Sequence, residues 1–512
     1  MSKHSRPNVF LRVVLAVVSV LVITALVSAA VVYRPSWLHA DNPPVRHSSV
    51  GSTVSPRQLQ TYCPSRMSIA DTDAYGDSEY QASNGNIASS ARYAAFGSVF
   101  HSSVAALGSD SATPALTLSK KNAESADGAF VGSGNVDDGS QLQDTRLLTA
   151  SDGTGVASAV MSWATDGDLK GVSASSCIVP ALEQTFLVAG TQTGMTQQLI
   201  VANPSAKATS VNVKVWGSAK AGMLALSTGS TLTVGAGKES VLNLAAAASG
   251  QDALYVTVSG SDTPVAAVVR TVSMDGLTPK GADYTVPNNV SARSLALYGV
   301  EHDDRAMVYI YAAHKTDVTI SWVNTKGAVQ ANQQTLDANR ASVIDLGDVP
   351  RSADGIYISA DKPVSAAAKI SDSGAGGQAD FALVNASVPM KVSAIAIPDQ
   401  SAATAVVGVI NITDEEQTAT LTAFDADGGQ VDQRDLAIPP LASTTVSIDD
   451  LDNGNISAIR LKDSSKSMVW DLRVGQQDVS DAKLAGLSVI GAADLKESRE
   501  RIWANQDMTI VR

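Results

Sequence analysis

From residue 186 onward, apolar positions fall into strand-length runs, and one series of runs recurs three times. Each copy opens with an unbroken apolar stretch: Phe186-Leu187-Val188-Ala189, Leu295-Ala296-Leu297-Tyr298 and Ala394-Ile395-Ala396-Ile397. A second apolar run follows within about a dozen residues (Leu199 to Ala202, Met307 to Ile310, Val406 to Ile410). The third runs alternate cleanly and end on an aromatic before a turn: Val211-Asn212-Val213-Lys214-Val215-Trp216, Val318-Thr319-Ile320-Ser321-Trp322 and Thr420-Leu421-Thr422-Ala423-Phe424. The closing halves correspond as well, through Leu254 to Val258, Ile356 to Ile358 and Ile459 to Leu461. Alternation with period two marks a strand with one face in a core. Six or seven such strands in roughly 100 residues, with turns every 8–12, fit an antiparallel β-sandwich of immunoglobulin-like size. A propeller is the alternative, although its four-stranded blades need only about 40–50 residues. The expected repeats are 185–290, 291–390 and 391–480, with Val213, Ile320 and Leu421 buried at equivalent places. Trp216 and Trp322 precede turns at matching positions, as core residues or as sugar-stacking platforms.

Residues 61–184 are less legible. Strand-like pieces at 94–100, 115–118, 145–150 and 157–163 are separated by loops rich in Gly, Ser and Asp, which reads as a fourth β-rich unit. The 481–512 tail carries a short charged helix candidate at 493–501, followed by a final strand or tail.

A different pattern opens the chain. Lys3, Arg6 and Arg12 precede an uncharged apolar run from Val13 to Tyr33. At 1.5 Å per residue, such a helix is about 31 Å long, close to the hydrocarbon thickness of a bilayer. Cations before it and Tyr33 and Trp37 after it imply a transmembrane helix with residues 1–12 cytoplasmic and the body outside. A cleavable signal peptide is the rival, with small residues at Val27-Ser28-Ala29 and Leu38-His39-Ala40, but the run exceeds the usual 7–15 residues. Residues 34–60, with Pro43, Pro44, Pro56 and several Ser, read as a stalk.

Composition narrows the function. Hydrophobic residues are 44% of the 512 and charged residues 17%, so a chain able to bury several cores is expected rather than a disordered one. The net charge of −13 argues against nucleic acid, which needs clustered Lys and Arg. Cys63 and Cys177 are the two cysteines, both on the expected outer side, where a lone pair most often forms a disulfide. It would staple the 61–184 unit to the first clear repeat.

Gly167-Asp168-Leu169-Lys170-Gly171, Ser175-Ser176-Cys177, Phe186 to Gly190, Leu199 to Pro204 and Val211 to Gly217 follow one another in an order that resembles a family of actinobacterial membrane-anchored proteins known as a domain of unknown function. The resemblance implies an extracytoplasmic envelope protein and carries over no catalytic residue.

Catalytic motifs do not emerge. His4, His39 and His47 belong to the anchor and stalk, leaving His101, His302 and His314 as candidate bases. His302 lies in the charged run Glu301-His302-Asp303-Asp304, and His314 precedes Lys315 at a strand end. GxSxG, HExxH and P-loop patterns are lacking. Asp71-Thr72-Asp73-Ala74-Tyr75-Gly76-Asp77 has the opening rhythm of a Ca²⁺ loop but carries Ala82 where a bidentate Glu belongs. Asp425-Ala426-Asp427-Gly428-Gly429 reads as a hairpin turn. We therefore expect no catalytic, cofactor or metal site. The expected function is a non-enzymatic membrane-anchored interaction module contacting cell-wall polymer or an envelope protein. The alternative is an envelope hydrolase or transferase in the 61–184 unit, signalled by a cleft gathering His101, a carboxylate and a nucleophile.

Overall fold

The computed structural model describes residues 9–33, 50–70, 82–109, 114–119, 128–398, 403–451, 455–497 and 500–504. The chain is mainly β and divides into a small unit, residues 1–54 with 499–512, and a large one, 55–498. In the small unit a helix spans Val9–Tyr33, and Val50–Val54 pairs antiparallel with Glu500–Ala504. The expected 13–33 membrane span lies on this helix. The side chains described in it cover a shorter stretch, 14, 16–26 and 28, and no helix among the described residues is long and apolar enough to cross a membrane.

The large unit contains one topology four times. In the clearest copy the strands are Glu183–Ala189, Met195–Asn203, Thr209–Gly217, Thr231–Val234, Lys238–Asn243, Ala253–Gly260, Ala266–Asp275 and Thr278–Thr285. They form two antiparallel sheets of order 1-6-3-4 and 5-2-7-8 around one apolar core. The same two orders recur from Ala292–Tyr298 to Ala379–Asn385. There the sixth and seventh strands are one continuous strand, Gly355–Ser373, which leaves one sheet and enters the other. They recur again from Val392–Ala396 to Ser488–Gly491. Residues 58–176 supply a further copy, from Gln58–Cys63 to Gly171–Ser176. We number these sandwiches one to four along the chain, so the illegible unit is the first of them.

Three expectations change. The 34–60 stalk is cut short by the strands Val50–Val54 and Gln58–Cys63. The tail contains the eighth strand of the fourth sandwich, Ser488–Gly491; Ala493–Asp494 is a strand where a helix was expected, and the strand Glu500–Ala504 begins inside the expected helix and runs on as a final strand. The immunoglobulin strand order is also departed from. There the first strand lies beside the second and the seventh beside the sixth. Here the first lies beside the sixth and the seventh beside the second.

Val213, Ile320 and Leu421 are each 1% exposed and pair across the ladder with Val258, Ile358 and Leu461 of the sixth strand. Trp322 faces its own core, but Trp216 is one position out of step and faces outward. A single-residue offset reverses the face.

The outward faces explain the arrangement. Each 1-6-3 surface packs on the 5-2-7 surface of the next sandwich. Tyr62 meets Ile200, Ala202 and Val268. Leu187, Trp216 and Tyr255 meet Tyr309, Tyr311 and Ala341, with Tyr255 and Tyr311 stacked at 3.8 Å. Ala296 and Tyr298 meet Ile410 and Val469. Val392, Ala394 and Phe424 of the fourth sandwich then meet Ala94, Phe96 and Ala129 of the first. The four sandwiches therefore close into a ring, not an open string. Arg92 of the first donates to the Ile397 carbonyl at 3.2 Å across the closing seam. Gly428, in the expected Asp-Gly hairpin, has φ +82°, and a Cβ there would lie 1.9 Å from the Ala129 carbonyl oxygen.

Cys63 ends the first strand of the first sandwich, and Cys177 follows its eighth, Gly171–Ser176. The two form a disulfide. The bridge closes this sandwich on itself instead of stapling it to the next. Its core explains why. Ser102, Gln143, Thr145 and Ser158 are buried where the other copies carry aliphatics, joined by Gln143 Nε2 to Ser102 Oγ (3.1 Å) and Ser102 Oγ to Thr145 Oγ1 (2.8 Å).

Replacing both cysteines by serine should cost about 2–5 kcal/mol in denaturant unfolding, and a non-reducing digest of the native chain should yield Cys63 and Cys177 in one linked peptide pair. Gly428→Ala should lower stability by at least about 1 kcal/mol, because both the backbone and the seam must shift. An unchanged unfolding midpoint would remove the seam contact from the account.

Candidate functional site

A polar cleft opens between the first and second sandwiches. Its floor is the outward 1-6-3 face of the first, at the end away from Tyr62. Period two in the strands sets Gln58 and Gln60, Asp144 and Arg146, and His101 and Ser103 on one surface. The register places Gln58 and His101 on either side of Arg146, and Gln60 and Ser103 on either side of Asp144. Pro204, Ser205, Ala206, Ala236 and Gly237 of the second sandwich form the opposite wall, and the cavity is about 540 Å³.

The carboxylate is held from three sides. The Gln58 and Gln60 side-chain amides donate to Asp144 Oδ2, the latter at 3.3 Å, and Arg146 Nε lies 3.8 Å from Oδ1. Arg146 is largely exposed and His101 half-buried. Among the described residues no hydrogen bond joins His101 to Ser103 or to Asp144. The cleft thus gathers the base, carboxylate and hydroxyl that sequence reasoning named as the mark of an enzyme, but Asp144 is engaged by amides and not by the imidazole. Gln58, Gln60, Asp144 and Arg146 were missed. The signal is polar residues at alternate positions of short strands, but 58–60 fall within the expected 34–60 stalk.

The other candidates separate. His302 is exposed, 3.3 Å from Asp303, while Asp304 of the same run is buried and tied to Arg473 of the fourth sandwich at 2.7 Å. His314 is exposed in a turn. The Asp71–Asp77 run lies outside the described residues. Among the described residues no group of three or more His, Cys, Asp or Glu could hold a metal ion.

A second concentration of polarity lies at the centre of the ring, where the four eighth strands meet. Asp283 of the second sandwich accepts from Ala174 N of the first (3.2 Å), Leu383 N of the third (2.8 Å) and Ser488 Oγ of the fourth (2.9 Å). Burial pushes its carboxyl up to about 8, against the pull of these donors. Asp380 of the third accepts from Val172 N (2.7 Å) and Leu487 N (3.2 Å) and is likewise raised by burial, with Asp283 adding to the shift. Gly171 and Gly281 crowd its carboxylate so closely that a Cβ on either would sit within 2.4–2.7 Å of an oxygen.

Comparisons with known proteins now bear on identity. The model of a family of unknown function, DUF5719, matches residues 131–449. The chain belongs to this family. The match begins inside the first sandwich and ends inside the fourth. No curated protein matches the chain. Among solved structures, Streptomyces avermitilis α-L-rhamnosidase complexed with L-rhamnose aligns at 10% identity with a TM-score of 0.11, over 80% of this chain and 54% of that one. The chain thus spans about half of that protein, and so low a score carries no argument about fold or activity.

The central carboxylates set a pH dependence. An acid whose pKa is raised on folding, from about 3.9 unfolded to about 8, binds more protons folded than unfolded between those values. Its contribution is fully present below about pH 4 and is lost as pH rises through 8. Apparent stability from urea titrations should therefore fall between pH 5 and 8.5, and Asp283→Asn should flatten that slope. An equal slope in the variant would assign the dependence elsewhere.

Proposed function

We propose that the chain is a non-enzymatic, single-pass membrane-anchored cell-envelope protein whose ring of sandwiches faces the cell wall and holds a polyhydroxylated wall polymer in the cleft of the first sandwich. The cleft carries this reading. Two amides, a guanidinium, an imidazole, a hydroxyl and a carboxylate on one open surface offer alternating donors and acceptors, which suits vicinal hydroxyls. Arg146 offsets the charge of Asp144, so the cleft surface suits a neutral glycan.

Location rests on separate support. Val14, Val17, Val18, Val20 to Ile23 and Leu26 of the helix are 42–66% exposed, an apolar surface that needs a lipid or protein cover. Lys3, Arg6 and Arg12 before it favour a cytoplasmic N-terminus. A disulfide fits an oxidising exterior. A wall hydrolase is the second reading, favoured by His101, Ser103 and Asp144 sharing one cleft.

The test uses full-length chain in detergent micelles with purified wall sacculi. The native chain should co-sediment, and Asp144→Asn with Arg146→Ala should weaken retention at least fivefold at unchanged thermal stability. Retention equal in both would sink the cleft reading. Release of soluble sugar that disappears in His101→Ala would establish the hydrolase. In cells stripped of wall, added protease should remove the body and leave residues 1–33 with the membrane; a soluble form beginning near residue 30 or 41 would mean a cleaved signal.

A further inference from the structure

The four eighth strands, Gly171–Ser176, Thr278–Thr285, Ala379–Asn385 and Ser488–Gly491, pack side by side at the ring centre, and beyond their C-terminal ends lies a pocket of about 470 Å³. Its lining comes from the sandwiches and the segments joining them, with Ser176, Asn288, Asn385, Asp471 and Gly491 among the residues that contribute. The volume lies in the range of small-molecule sites, and such sites favour domain interfaces.

Its chemistry is lopsided. Val290, Val388, Met390 and Val489 make an apolar wall. Among the polar groups set into it, Asn385, Asp471 and Asp494 present acceptors. Asn385 donates through Nδ2 to the Val286 carbonyl at 3.0 Å, which fixes Oδ1 as an acceptor, and that buried oxygen has no hydrogen-bond partner. Asp471 is buried and accepts from Tyr298 N at 3.1 Å. Asp494 is the remaining carboxylate, and Lys496 lies 2.9 Å from it, so the one cation of the lining is already engaged. A buried acceptor without a donor is destabilising, and a ligand carrying a donor would offset that loss.

We propose that this axial pocket binds a small amphipathic amine, its ammonium donating to the Asn385 and Asp471 acceptors and its apolar body resting on Val290, Val388 and Met390. The site is separate from the polar cleft and does not depend on the glycan reading. Because a bound molecule would bridge Asn385 of the third sandwich and Asp471 of the fourth, it would brace that seam and raise the unfolding midpoint with concentration.

The probe is 2-phenylethylamine, titrated calorimetrically into full-length chain in detergent micelles with empty micelles as reference. 3-Phenylpropanoate, with the same body and an acceptor head, is the comparison. The amine should bind saturably at one site and raise the unfolding midpoint, and the carboxylate should not. Met390→Trp, which fills the pocket, should abolish binding. Asp471→Asn, which keeps the acceptor for Tyr298 N, should weaken it at least tenfold. If either variant unfolds, Lys496→Ala at the rim decides instead, since loss of that cation should tighten amine binding severalfold. No saturable heat, equal binding of the carboxylate, or affinity indifferent to these substitutions would overturn the proposal.

Discussion

Asp283 is the point at which the ring is tied. Its two oxygens take donors from the first, third and fourth sandwiches while its own strand belongs to the second. Four β units that touched through apolar faces alone could slide, because dispersion and hydrophobic contact have little directionality. A buried carboxyl group with fixed hydrogen-bond partners has strong directionality and a large cost when a partner is lost. Asp380 repeats the device one strand on, and Gly171 and Gly281 exist where the approach of that carboxylate leaves no room for a side chain. Lys369 is the nearby cation, 4.2 Å from the Phe381 ring centre, and burial lowers its own pKa. The centre is thus held by hydrogen bonds from backbone amides and the Ser488 hydroxyl rather than by an ion pair.

Everything outside that centre follows from double burial. A first strand such as Leu295-Ala296-Leu297-Tyr298 sends alternate residues into its own core and into the neighbouring sandwich, so all four are at most 2% exposed. The second strands behave alike. Third strands are buried on both sides only near one end, where Trp216, Val323 and Phe424 reach the next sandwich, and alternate with polar residues elsewhere. That graded pattern opens clefts at the far ends of the interfaces while the near ends stay sealed. The polar floor around Asp144 is one such far end.

The first sandwich reaches the same topology by different chemistry. Its core replaces aliphatics with a Ser102–Gln143–Thr145 network, which orients strands well but buries less apolar area. The disulfide between its first strand and the residue after its eighth offsets that weakness by restricting the unfolded chain. Gln143 and Thr145 also break the apolar periodicity, which is why this copy could not be recognised from residue patterns while the other three could.

Local patterning determined the strands, the threefold repeat, the buried triplet Val213, Ile320 and Leu421, and the pairing of the two cysteines, since each depends on side-chain period or on a two-member choice. It also held an unread clue: unbroken apolar runs in the first and second strands mean that a sandwich has a second face to bury. Which face that is, and against what, was not legible. Ring closure, the convergence on Asp283, the cleft that unites Gln58, His101 and Asp144, and the axial pocket all join residues tens to hundreds of positions apart. Period in a sequence reports whether a side chain is covered and carries no record of its cover, so these contacts were decided by the packing of four complete sandwiches around one another.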